Sequence, residues 1–142
     1  MNYIRGGELV FVKLDRDEEI LGSIVKVCRK LGLETIIVLS GVGQLHDVTL
    51  GYYRGKGDYT PEVFRGTYEL LSMTGSVVQQ LNGDYVPHIH VVLGGIDKNT
   101  IGGHLIKGVV GVTCEVTLLS GKLGVKRSYN PKSGLNEIVF LE

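Results

Sequence analysis

The chain has 142 residues, 43% hydrophobic and 21% charged, and its fifteen basic and fifteen acidic side chains cancel to a formal net charge of zero. That length suits one domain over 1–142 with a single substantial core, and the composition excludes a disordered or fibrous chain. A neutral chain has no overall field toward nucleic acid or an anionic membrane, no apolar run reaches the roughly 18–20 residues of a membrane span, and "MNYIRGGELVF" lacks the apolar segment of a secretory signal, so a cytoplasmic location is expected.

"ELVFVKL", residues 8–14, reads as an opening strand. In "DRDEEILGSIVKVCRKLG" the marks of one helix follow: Asp15 caps it with Glu18 three residues on, acids crowd its first turn, Arg29 and Lys30 stand in its last, and Gly32 ends it. Ile20, Ile24, Val27, Cys28 and Leu31 recur at helical spacing, which predicts a face packed on a sheet. From residue 34 the pattern changes to short β-branched runs broken by Gly, Asn, Asp and Pro. "TIIVLSG" reads as a strand buried on both faces and "HDVTLGYY" as the next, with a turn or bulge at 41–43 between them. "RGKGDYTPE", 54–62, is a mobile loop of turn formers. Strands follow in "TYELLSMTGSVV", "VPHIHVVLGG", "GVTCEVTLL", "LGVKRSY" and "NEIVFLE", with "SGK" at 120–122 as a hairpin turn. The expected fold is α/β in the α+β sense: a mainly antiparallel or mixed sheet of about seven strands, flanked by a few helices, with short ones near 60–65 and 102–107.

Glycine is the compositional outlier at 21 residues, which predicts frequent turns or close backbone approaches. Cys28 and Cys114 form no clustered pattern and read as small buried hydrophobes rather than a disulfide or a nucleophile. Lys122, Lys126, Arg127 and Lys132 share a window without acids, read as a solvated hairpin or as a phosphate-binding patch.

Three of the four histidines recur in one stretch, "PHIHVVLGG" followed by "GGHL". On a strand, His88 and His90 point the same way while Ile89, Val91 and Leu93 point the other, and two imidazoles at that spacing can converge on one ion. His104 is the third candidate, because Gly102 and Gly103 would let a loop bring its ring to the sheet face. Three neutral imidazoles with one open position suit a catalytic zinc, and iron, nickel or cobalt would also accept them. Half-buried histidines bonded to backbone or acids are the plain alternative. Glu115, which shares a face with Thr113 and Thr117, is a candidate to orient a ligand or move a proton, with Glu69 behind it; solvent-facing or salt-bridged glutamates are the alternative. His46 stands apart, at a strand start or turn.

"LSGVGQLHDVTLGYY", "YELLSMTGSV", "PHIHVVLGG" and "GGHLIKGVVGVTCEVTL", in this order, resemble the plant-and-prokaryote-conserved (PPC) domain, over nearly the whole chain from Asp15 to about Phe140. The resemblance implies a mainly antiparallel sheet, assembly as a homotrimer, and kinship with the acetolactate decarboxylase fold, whose members hold zinc through three histidines. Carried onto this chain, those ligands are His88, His90 and His104. Plant members place the domain beside AT-hooks, Arg-Gly-Arg-Pro segments that enter the A·T minor groove; "YIRGGE" and "FRGTYE" lack the second arginine and the proline. Two functions follow as expectations: a self-assembling module that binds DNA or partner proteins, or a metal-dependent lyase or hydrolase acting on a small oxygenated molecule.

Overall fold

The computed structural model describes residues 1–141. In chain order these form β1 (Asn2–Gly6), β2 (Leu9–Asp15), α1 (Ile20–Leu31), β3 (Thr35–Gly51), β4 (Glu62–Gln79), β5 (Tyr85–Gly94), β6 (Thr100–Gly121), β7 (Val125–Asn130) and β8 (Leu135–Phe140). Six strands make one antiparallel sheet in the order β1–β2–β6–β3–β4–β5, and β7 pairs with β8 in a second, two-stranded sheet. Because the start of β6 also pairs with β5, strands β3, β4, β5 and β6 close on one another. No helix among the described residues is long and apolar enough to cross a membrane.

The period-two pattern of β2 buries Val10, Val12 and Leu14. Helix α1 lays Ile20, Ile24, Val27 and Cys28 on the same core, each with no exposed surface, and each large aliphatic side chain so buried contributes roughly 1.5–3 kcal/mol. The helix begins later than the acids of 15–18 predict. Glu19 is the cap, accepting from the Leu21 and Gly22 N–H groups at 3.2 and 2.7 Å, while Glu18 reaches back to the Asp15 N–H at 2.8 Å. Asp17 sits at φ 68°, a left-handed turn that keeps the preceding acids out of the helix. Gly32, at φ 63°, ends the helix as its sequence position predicts.

Elsewhere pairing overrides local signals. The two strands expected around 41–43 are one strand, β3, with bulges rather than a turn. The short helices expected near 60–65 and 102–107 do not form, because those residues are claimed by the long strands β4 and β6. "SGK" makes no hairpin either: β7 leaves the main sheet and pairs with β8, and the tight turn between them is closed by the Gly134 N–H on Asn130 O at 2.8 Å. Both cysteines are buried and free, with their thiols pushed up to about 12 by burial, as expected of core residues.

Candidate metal centre

Strands β5 and β6 are the two arms of a hairpin. Its turn is closed by the Gly95 N–H on Asn99 O at 2.9 Å and the Lys98 N–H on Gly95 O at 3.0 Å. Counting back from that turn, Gly94 faces Thr100 and His90 faces His104. Directly opposed residues of an antiparallel pair project to one face, so the register itself sets the two imidazoles side by side, and the strand period adds His88. Ile89, Val91 and Leu93 fill the core on the other face. His104 therefore arrives on a strand and not on a loop. The glycines before it serve close approach instead of positive φ: a Cβ on Gly102 would lie 2.8 Å from the Val91 carbonyl oxygen.

The three rings form a nearly equilateral triangle. Centroids are 5.2 Å apart for His88 and His90, and 5.5 Å apart for each of the other two pairs. One nitrogen from each ring lies within 4.8 Å of the other two. Burial, then His88 and His90, then Arg127 push the His104 imidazole from its ordinary 6.5 down to about 4. Burial, Arg127 and His90 also lower His88. Neutral imidazole is the form that ligates a metal. The His104 Nδ1 atom is buried without a hydrogen-bond partner among the described residues, so it is free to ligate.

Two neighbours that sequence reading does not place here complete the site. Tyr59, from the 52–61 loop, stacks on His104 with ring centroids 4.4 Å apart and 27° between planes. Arg127, which β7 carries in, is only 7% exposed and sets NH2 3.4 Å from His88 Nδ1. The loop is tied down by the Tyr52 N–H on Tyr59 O and by the Tyr53 hydroxyl on Ser133 O at 2.7 Å. Between the loop, His88, His104 and the β7–β8 sheet lies a cleft of about 450 Å³. The expected signal for Arg127 pointed outward, to a basic surface window. Instead Arg127 is buried and Lys126 Nζ is held by Glu34 and Gln79 at 3.2 and 3.0 Å, which leaves Lys122 and Lys132 as the exposed cations of that window.

The two glutamates named with the triad stand elsewhere. Glu115 is exposed, far along β6 from His104, and faces Lys13 on one side and Val42 on the other. Glu69 accepts from Gln44 Nε2 at 3.1 Å, well along β4 from Thr74 and Ser76, the residues opposite His90 and His88. Neither touches the imidazoles, since strand register carries both away. His46 is also outside the cluster, bonded to Asp47 at 2.8 Å.

The depressed His104 pKa makes a stability prediction. Unfolded, the ring titrates at its ordinary 6.5; folded, it resists protonation until about 4. The unfolded chain thus binds the extra proton between those values, and metal-free protein is stabilised above 6.5 and loses that contribution as the pH falls toward 4. As the pH falls from 6.5 toward 4, the melting temperature of metal-free wild type should drop relative to that of His104→Asn. Parallel curves would show that His104 has no such role.

The fold and site define a class of protein: an antiparallel β-sheet whose hairpin register gathers three imidazoles into one group beside a cleft. The chain belongs to the plants and prokaryotes conserved (PCC, or PPC) domain family, whose sequence profile matches residues 1–122. It is similar to a PPC protein of Pyrococcus horikoshii, at 30% identity over 99% of this chain and 95% of that one, with a TM-score of 0.84. A metal-containing protein of Archaeoglobus fulgidus is 29% identical over 96% and 94% of the two chains, with a TM-score of 0.81. A Bacteroides thetaiotaomicron protein, provisionally named as DNA-binding, is 25% identical over 98% and 96%, with a TM-score of 0.90. No curated protein matches the sequence significantly.

Proposed function

We propose that His88, His90 and His104 hold one divalent metal ion, zinc or another transition metal, and that the cleft beside them binds a small molecule. The observation that carries this is the mutual approach of three ligand nitrogens within 4.8 Å, produced by hairpin register and not by chance proximity. The metal-containing relative from Archaeoglobus fulgidus supports it. Three imidazoles leave a coordination position open, and a zinc ion so held supplies Lewis-acid chemistry, polarising a substrate oxygen. That chemistry fits a lyase or hydrolase acting on a small oxygenated substrate; Tyr59 would wall the cleft and Arg127 would orient the substrate. Elemental analysis of purified, untagged protein should return about one metal ion per chain. Protein that stays metal-free after incubation with zinc returns the triad to ordinary half-buried histidines.

The same chain assembles with itself in our reading, and the outer face of the main sheet is where copies meet. Register places Ile4 beside Phe11, and Leu9, Leu119 and Ile37 in one row, all on the face away from α1. Ile4 is 72% exposed, Leu9 48% and Phe11 46%, an apolar surface of the kind that protein contacts cover. A homotrimer is the expected assembly. Sedimentation of Phe11→Asp should show monomer where wild type shows the oligomer, with the fold kept. DNA binding, the alternative role for such a module, draws support from the name of the Bacteroides relative, while Lys126 and Arg127 of the basic window are engaged within the fold.

A further inference from the structure

Arg127 poses a problem that the metal reading leaves unsolved. The residue is only 7% exposed, yet no carboxylate among the described residues lies within 4.0 Å of its guanidinium. NH1 donates to Asn136 O at 2.8 Å, and NH2 lies 3.4 Å from both Ser76 Oγ and His88 Nδ1. Nε is buried with no hydrogen-bond partner among the described residues. The acid on the cleft wall, Glu137, is committed elsewhere: its oxygens accept from Ser133 Oγ at 2.5 Å and Asn130 Nδ2 at 2.9 Å. Buried charges in folded proteins are paired, and leaving one unpaired is strongly unfavourable. A guanidinium with free donors at a cleft wall is the arrangement that receives a carboxylate.

We propose that Arg127 is the anion holder of the cleft, which takes a small organic acid with its carboxylate on this guanidinium and its apolar body between Val86, Pro87, Leu135 and Ile138. Those walls favour an organic acid over inorganic phosphate. The proposal deepens the metal-site reading, on which its second half rests. A neutral imidazole has one lone pair, and Arg127 can only donate to it. Once His88 gives that lone pair to a metal, the NH2 group loses an acceptor and turns to the incoming acid. Metal loading and acid binding should therefore be positively coupled.

The test titrates butyrate into nitrogen-15-labelled wild-type protein, with and without zinc, and follows the Arg127 Nε–H and histidine ring resonances. A saturable shift of that Nε–H is expected, tightening on zinc loading, with butanol and inorganic phosphate giving no comparable change. Arg127→Gln should weaken butyrate binding about tenfold or more, and Arg127→Lys should recover part of it. The wild-type resonance decides the matter even if Arg127→Gln does not fold. A stationary Nε–H, tighter binding of phosphate than butyrate, or undiminished affinity in both variants overturns the proposal. Zinc uptake without a butyrate effect would remove this inference and keep the metal site. A butyrate effect in protein that takes up no zinc would keep the Arg127 subsite and remove the metal.

Discussion

His90→Ala protein is expected to lose its metal while keeping its fold and its assembly state. His90 is exposed on the face opposite the buried Ile89 and Val91, so truncating it opens no cavity, and the metal-free protein should change in stability by no more than about 0.5 kcal/mol. Metal affinity behaves differently. Removing even an outer partner of a metal ligand typically costs about 10–100-fold, and removing one of three ligands costs more. Elemental analysis should therefore find the ion in wild type and not in the variant, and the rise in melting temperature that zinc gives wild type, by binding only the folded state, should vanish. A variant that still carries stoichiometric metal would place the site elsewhere. His88→Ala/His104→Ala serves as the second check, because it also removes the partner of Tyr59 and the neighbour of Arg127.

Gly75→Ala should be among the most damaging single changes outside the core. Gly75 lies on β4 directly opposite Ile89, between the residues facing His88 and His90, at φ 145°, where side chains are strained. An added Cβ would overlap the His88 carbonyl oxygen and stand 2.8 Å from Ile89 Cα. Those are backbone atoms of the strand that carries the ligands, with no flexible side chain to yield. Strained backbone and a forced shift each cost about 1–3 kcal/mol, a large part of the roughly 5–15 kcal/mol that holds a domain folded. Chemical denaturation should show the loss, and any protein that still folds should bind zinc more weakly, because β5 must slide or bulge. An Ala variant with wild-type stability and zinc affinity would mean that β4 and β5 separate there without effort.

The two predictions mark what could be read from residues and what could not. The alternation of His88 and His90 against Ile89, Val91 and Leu93 was legible because strand period is local. So was the buried face of α1, though not its first residue, since a left-handed Asp17 is a backbone choice that the acid-rich run conceals. The hairpin between β5 and β6 was not read from the sequence: glycines at 102–103 suggested a loop, when they serve close packing against β5 and β3. The glutamates failed because period two says which face a side chain takes and nothing about how far along the strand its neighbour lies.

By itself, then, the sequence determined the family, the mostly antiparallel architecture and the three imidazoles, because these rest on motifs and on periodicities within single elements. Only the tertiary structure decided that His104 faces His90 across a hairpin, that Tyr59 covers it, and that Arg127, which reads as surface charge, is buried against His88. The reason is physical: those contacts depend on register and on the docking of a separate two-stranded sheet, which are set by packing between segments up to some forty residues apart or more and leave no trace in local composition.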